Sequence, residues 1–217
     1  MISVKHPHIP FFSVIVTCHN RAYILERALV SLLSQSETDW ECIIVNDGST
    51  DTTDEIADRW IQKDDRFRYV KHSHRGQAMT KNAGILASCG LFITFLDSDD
   101  EYTVDHLRMR KAMLEEYPQL DLLHGGVHII GDHFVPDMNK PDTLIHLSDC
   151  IIGGTFIWKA VSLRAIHGFD NIEYGDDTAL YNKAIDQGMA IAKTDYPSYI
   201  YYRDMADSLC NQRKEHP

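Results

Sequence analysis

From Phe12 to about Glu116 two apolar patterns alternate along the chain, short β-branched runs and longer stretches with apolar residues three and four apart. This is the signature of βαβ units built on a mostly parallel sheet. The runs are Ser13–Thr17, Glu41–Val45, Phe67–Val70 and Leu91–Leu96; the first and last are nearly all apolar, as central strands covered on both faces require. Between them Ile24, Leu25, Ala28, Leu29, Leu32 and Leu33 stripe one helix, expected to run from an Asn20 cap to about Gln35. Ser49 and Asp51 predict the start of a second helix through Ile56, Ala57 and Trp60. A third is expected from about Gln77 to Ser88, and a fourth from about Val104 until just before Pro118.

After Pro118 the pattern changes. Asp121–Val135 holds paired apolar stretches around Gly125-Gly126 and Gly131-Asp132, which predicts antiparallel strands. A loop and a polar-flanked strand are expected over Met138–Asp149, then a strand over Ile151–Trp158. Helices at Ser162–Ile166 and about Asp177–Gln187 and a last strand at Tyr199–Tyr202 complete the reading. No repeat or low-complexity segment interrupts it.

Length and composition narrow the class. At 217 residues the chain fits one elaborated domain, and its 44% apolar and 24% charged content is that of a globular protein. The 21 basic against 32 acidic residues leave a net charge of −11, which repels a phosphate backbone, so nucleic acid is not expected as a partner. Cys18, Cys42, Cys89, Cys150 and Cys210 are odd in number and never form C-x-x-C, so reduced, mostly buried thiols are expected. The start lacks a signal-peptide core and nowhere do 18 apolar residues run together, which predicts a cytoplasmic protein, with peripheral membrane association left open.

Ligands of open parallel sheets bind beyond the carboxyl ends of the strands, where the winding reverses. Three polar clusters fall at such ends: Thr17-Cys18-His19-Asn20-Arg21, Asn46-Asp47-Gly48-Ser49 and Asp97-Ser98-Asp99-Asp100. Asp97 and Asp99, one residue apart after an apolar strand, suit one hard cation such as Mg²⁺ or Mn²⁺. Each cluster also has a plainer reading, because acids collect at helix N-termini and Asp-Gly-Ser is a common turn.

Taken in order, the segments SVIVTCHNRAYILERALVSLLSQS, ECIIVNDGSTDTTDEIADRW, DDRFRYVKHSHRGQAMTKNAGILASCG and LFITFLDSDDEYTVDHL, followed by HGFD and YGDDTALYNKA, closely resemble a family 2 glycosyltransferase. The resemblance implies a GT-A (Rossmann-like) α/β fold, with a mostly parallel central sheet flanked by helices and antiparallel strands in the acceptor-side half. It implies a single domain over 1–217, with a nucleotide-sugar-binding half at about 10–118, an acceptor-side half at about 119–209 and a tail at 210–217. It implies a metal-assisted, inverting transfer from a nucleotide-diphosphate sugar to a glycan, lipid-linked or other hydroxyl acceptor, as in polysaccharide biosynthesis.

By the same resemblance, Thr17, His19 and Asn20 fall where the first strand meets the nucleotide, with His19 at a usually aromatic position against the base. Asp47 matches the acid that accepts from the base, Arg75 borders the nucleotide, Asp97 lies nearer the ribose and Asp99 ligates the metal beside it. Asp177 stands at the place of the catalytic base, with Asp176 before it where the family writes Glu. Departures accompany these matches: Lys81 replaces a common Arg, and Tyr202-Arg203-Asp204-Met205 lacks the His that often joins the metal. Two competing classes are a catalytically idle nucleotide-sugar-binding module and a D-x-D phosphohydrolase; the latter needs Thr after the acids where Glu101 stands. His124, His128 and His133 are clustered, but strand geometry around them favours ordinary polar side chains over a metal site, and the Tyr199-Tyr201-Tyr202 group reads as sheet packing.

Overall fold

The computed structural model describes residues 8–137, 140 and 142–204. The parallel half comprises β1 (Phe12–Cys18), α1 (Leu25–Leu33), β2 (Trp40–Asp47), α2 (Thr53–Lys63), β3 (Phe67–His72), α3 (Gln77–Ala87) and β4 (Phe92–Phe95), in the expected order. Then come β5 (Glu101–Tyr102), α4 (His106–Glu116), β6 (Leu122–Ile130), β7 (Phe134–Pro136), β8 (Leu144–His146), β9 (Ile157–Lys159), α5 (Ala160–Ala165), α6 (Asp176–Asp186) and β10 (Ile191–Tyr202). One eight-stranded sheet runs β3-β2-β1-β4-β9-β6-β10-β5, and β7 and β8 pair as a separate antiparallel hairpin.

Strands β3, β2, β1 and β4 are mutually parallel, and β9 joins β4 to β6 antiparallel to both. The chain winds from β1 outward to β3 and then returns to place β4 on the other side of β1. The reversal therefore opens a crevice beyond the carboxyl ends of β1 and β4, where His19 and Asp97 begin their loops. Both faces of the sheet are covered, with side chains alternating between them as strand geometry dictates. Val14 and Val16 pack on one side with Leu25, Ala28, Leu29 and Leu32 of α1, Ile56 and Trp60 of α2 and Leu107 of α4. Ile15 packs on the other with Ala78 and Ile85 of α3, Leu163 of α5 and Leu180 of α6. Each fully buried Leu or Ile contributes about 1.5–3 kcal/mol over leaving it exposed.

Several local expectations are corrected. Asn20 does not cap α1: it has a positive φ of 53°, and its side-chain oxygen accepts from the Thr50 N–H at 2.8 Å, tying the first loop to the second. Ser49 likewise accepts from the Asn20 N–H at 2.9 Å, while Asp51, just ahead of the Thr52 N-cap, accepts the Thr53 N–H that opens α2 at 3.1 Å. Gly125 and Gly126 are not a hairpin turn. They lie within β6, which runs parallel to β10, and the register slips between Thr194 and Tyr199. Gly126 has φ of 72°, and a Cβ there would stand 2.0 Å from the Tyr196 carbonyl oxygen, so the bulged β10 requires glycine. The expected strand over Ile151–Trp158 is broken by a 3₁₀ turn at Gly153–Thr155, leaving only its end in β9. Of the thiols, Cys18 and Cys42 are buried but Cys89 is exposed. Met205, Cys210 and the expected tail lie outside the described residues.

The two halves of the chain are stitched together by Asn82 of α3. Its side-chain nitrogen donates to the Phe169 carbonyl at 2.8 Å and its oxygen accepts the Phe169 N–H at 2.9 Å. This bidentate clamp fixes the Gly168-Phe169 loop that leads to α6. Asn82→Ala leaves both Phe169 backbone groups without their partner, so chemical denaturation should show a loss of about 1–3 kcal/mol with an unchanged m-value.

Candidate active site

One cleft of about 1480 Å³ is lined by Thr17, His19, Asn20, Asp47, Arg75, Asp97, Asp99, Asp176 and Asp177, so the residues that the family resemblance assigned to the site converge there. Its first wall is the end of β2. Asp47 is 4% exposed, and its carboxylate accepts the Arg75 N–H at 2.7 Å and the Gly76 N–H at 2.9 Å, which draws the loop after β3 over the cleft. His74 and His72 approach the same carboxylate at 2.9 and 3.3 Å, and the His19 ring stacks on His74 with centroids 4.2 Å apart. Arg75 thus enters the site through its backbone, with its side chain exposed.

The floor is the loop after β4. Behind Asp97 and Asp99 lies Asp100, fully buried, which accepts the Tyr199 hydroxyl at 2.6 Å and the Tyr202 N–H at 2.9 Å. From the opposite side Arg27 of α1 donates to the Asp99 carbonyl and lies over the Tyr202 ring, 3.7 Å from its centroid. The acid loop is therefore held between α1 and the end of β10.

Across the cleft, Gly175 turns the chain into α6 with φ of 78°, which places two acids in the first turn with different partners. Asp176 pairs with the buried Lys81 Nζ at 3.0 Å. Asp177 accepts the N–H of Thr178 at 2.7 Å and of Gly153 at 3.0 Å. A Cβ on Gly153 would stand 2.8 Å from the Asp177 Cβ, so the 3₁₀ turn reaches Asp177 only because residue 153 has no side chain.

These geometries accord with the comparisons. The profile of Glycosyl transferase family 2 matches residues 13–143. The chain belongs to this family. It is 36% identical over 220 residues to the uncharacterized glycosyltransferase EpsJ of Bacillus subtilis, covering 93% of this chain and 63% of that protein. Similarity to the glycosyltransferase GlyA of Streptococcus pneumoniae is 31% identity over 134 residues, 56% of this chain and 19% of GlyA. The chain thus spans less than two thirds of either relative. In fold it is similar to S. aureus TarS in complex with UDP-GlcNAc, at a TM-score of 0.74 and 21% identity over 89% of this chain and 59% of that one. It is also similar to the mannosyltransferase PcManGT of Pyrobaculum calidifontis in complex with GDP-Man and Mn²⁺, at 0.71 and 18% over 89% and 57%. The fold is therefore GT-A, as expected from the sequence.

In this family 2 chain the electrostatics of the cleft are set by crowding of acids. Burial pushes Asp97 up to about 6, opposed by Lys81 and reinforced by repulsion from Asp99, Asp176 and Asp177. Burial and Asp176 raise Asp177 too, against Lys81 and its two backbone donors. Lys81 is held above its ordinary range, because attraction to Asp176, Asp97 and Asp177 outweighs the cost of its burial. The structural part of Tyr199 and Arg27 had no signature in sequence, since each acts through a partner some 70–100 residues away. The three histidines singled out earlier form no joint site. His124 packs edge-on to Tyr181 and is held neutral by burial, down to about 4, whereas His133 stacks on His146.

The raised Asp97 has a thermodynamic consequence. Between its unfolded value of 3.8 and about 6 the folded chain binds more protons than the unfolded one, so metal-free stability must fall as pH rises through that window. Asp97→Asn should melt higher than wild type above pH 6 in chelator-treated protein, and the difference should vanish below about pH 4. Parallel melting curves would show the residue is not under strain.

Proposed function

We propose that the cleft transfers a sugar from a nucleoside diphosphate donor to an acceptor hydroxyl, with inversion at the transferred carbon. The observation that carries this reading is that one cleft gathers the Asp97/Asp99 pair, the Asp176/Asp177 pair and Asp47. The single eight-stranded sheet running through both halves supports reading residues 1–217 as one domain, with a donor half and an acceptor half.

Asp97 and Asp99 fit a divalent cation, Mn²⁺ or Mg²⁺: they offer hard oxygen ligands, and the surplus of negative charge around them is only partly offset by Lys81. When bound there, the cation would neutralise charge on the leaving diphosphate. Asp47 accepts from the nucleobase, Thr17, His19, Asn20 and Arg75 border the nucleotide, and Asp97 lies on the ribose side. Solved neighbours hold UDP-GlcNAc and GDP-Man, which makes uridine and guanosine sugars the donors to test. The acceptor is a glycan or lipid-linked hydroxyl, in a cytoplasmic setting of polysaccharide assembly.

Asp177 is the general base. Burial makes its carboxylate more basic, whereas Asp176 is committed to Lys81 and acts as a positioning residue. Asp177 takes the acceptor proton as the acceptor oxygen bonds to the sugar carbon and the carbon–diphosphate bond breaks. Attack from the side opposite the diphosphate inverts that carbon. A second reading, an idle nucleotide-sugar-binding module, draws support from the two backbone N–H groups that occupy Asp177.

Transfer assays decide between them. Asp177→Asn should retain nucleotide binding while transfer falls about 10²–10⁴-fold, the usual contribution of positioned proton transfer. No turnover by wild type across a donor and acceptor panel would favour the binding module. Calorimetry should further show that nucleoside diphosphate affinity rises with Mn²⁺ in wild type and not in Asp99→Ala; an Mn²⁺ response equal in both removes Asp99 as ligand.

A further inference from the structure

The base end of the cleft carries a second, chemically different constellation. Among the described residues, His19, Asp47 and His74 each offer one ligand atom, and these atoms lie within 4.8 Å of one another. The hydrogen bonds determine which nitrogen of His19 is available. Thr50 N–H donates to the Asn20 side-chain oxygen, so the Asn20 amide nitrogen is the group facing His19 Nε2, at 3.2 Å. Nε2 is then an acceptor and carries a lone pair, and the ring proton sits on Nδ1, which donates to the Asp47 carbonyl at 2.7 Å. An imidazole whose Nδ1–H is held by a backbone carbonyl is the arrangement that orients metal-binding histidines, and an ion at Nε2 would take the place of the Asn20 amide N–H. Asp47 is oriented in the same way, by the Arg75 and Gly76 N–H groups.

We infer that His19, Asp47 and His74 form a site for a borderline transition metal of the Zn²⁺ class, separate from the all-oxygen Asp97/Asp99 pair. Two imidazoles and one carboxylate leave a fourth tetrahedral position for water. Ligand atoms on a tetrahedral Zn²⁺ at about 2.0–2.1 Å stand about 3.3 Å apart, closer than the present limit, so His74 must swing inward from its stack on His19. Its side chain is 62% exposed and already meets the Asp47 carboxylate at 2.9 Å through Nδ1, so it can shift at the surface while keeping that partner. Ligand type divides the two sites: imidazole nitrogens raise affinity for Zn²⁺, Ni²⁺ or Cu²⁺ well above that for Mg²⁺ and Mn²⁺, whereas an all-carboxylate pair lacks that gain and suits the hard ions that are abundant. Because Asp47 and His19 would be withdrawn from the nucleobase, Zn²⁺ and nucleotide exclude each other. Only this exclusion rests on the donor-site reading above; the metal site stands on its own geometry.

Zn²⁺ titration by calorimetry in excess Mg²⁺, with Co²⁺ as a spectroscopic probe, tests the site without any nucleotide. Wild type and Asp99→Asn should bind one Zn²⁺ alike, and Co²⁺ should give the intense visible bands of a tetrahedral nitrogen-ligated ion. His74→Ala and His19→Ala should each weaken Zn²⁺ at least tenfold and abolish those bands. Wild-type Zn²⁺ affinity in both histidine variants, loss in Asp99→Asn instead, or no Zn²⁺ binding overturns the site. Adding UDP or GDP with Mg²⁺ should lower the apparent Zn²⁺ affinity of wild type in proportion to nucleotide bound; simultaneous binding of both overturns the exclusion. Failure of both nucleotides to bind zinc-free protein in Mn²⁺ counts against the donor-site reading and leaves the zinc result intact.

Discussion

The contact between Lys81 and Asp176 is the constraint on which the rest of the cleft depends. Five acids, Asp97, Asp99, Asp100, Asp176 and Asp177, are gathered near the ends of β4 and α6, and their mutual repulsion disfavours the folded chain. Lys81 is 4% exposed, and an isolated ammonium at that depth would cost several kcal/mol. Each side is tolerable only because of the other. The pair also joins α3 to α6, so the two halves of the fold meet through it.

A second set of contacts keeps the acid loop from spreading. Asp100 is buried and pushed well above the ordinary carboxylate range, by burial first and then by Asp97 and Asp99, yet the Tyr199 hydroxyl and the Tyr202 N–H are both directed at it. Arg27 reaches the same loop from α1 and stacks on Tyr202. The loop is thereby fixed by an element before it and an element about a hundred residues after it. The bulge in β10 supplies the extra length that brings Tyr199 and Tyr202 into register with these partners. Gly126 is thus tied to the acid loop although it touches none of the acids.

The parallel half was legible because its signals are local. Apolar runs and stripes mark β1 to β4 and α1 to α3 directly, and a polar residue ending such a run must lie at the carboxyl edge of a sheet. The failures share a different cause. Asn20 reads as a helix cap on local propensity, but Thr50 competes for its side chain across the crevice. Gly125-Gly126 reads as a turn because two glycines usually mark one, whereas here they make room for the Thr194 and Tyr196 carbonyls on a strand about seventy residues away. The unlike partners of Asp176 and Asp177 could not be read either, since Lys81 and Gly153 meet them only in three dimensions.

That difference between adjacent acids is itself an argument about the chemistry. Asp176 spends its carboxylate on the buried Lys81 ammonium, whereas Asp177 meets neutral N–H donors and burial raises its affinity for a proton. Placing both in the first turn of α6 lets one absorb the charge of Lys81 and leaves the other available for a proton. The same division recurs elsewhere in the cleft: Asp47 is held by backbone N–H groups and flanked by imidazoles, whereas Asp97 is crowded by other acids. Carboxylates of one residue type thus acquire distinct capacities within a single cleft, set by whether the nearest neighbour is a cation, another anion, an imidazole or a peptide N–H.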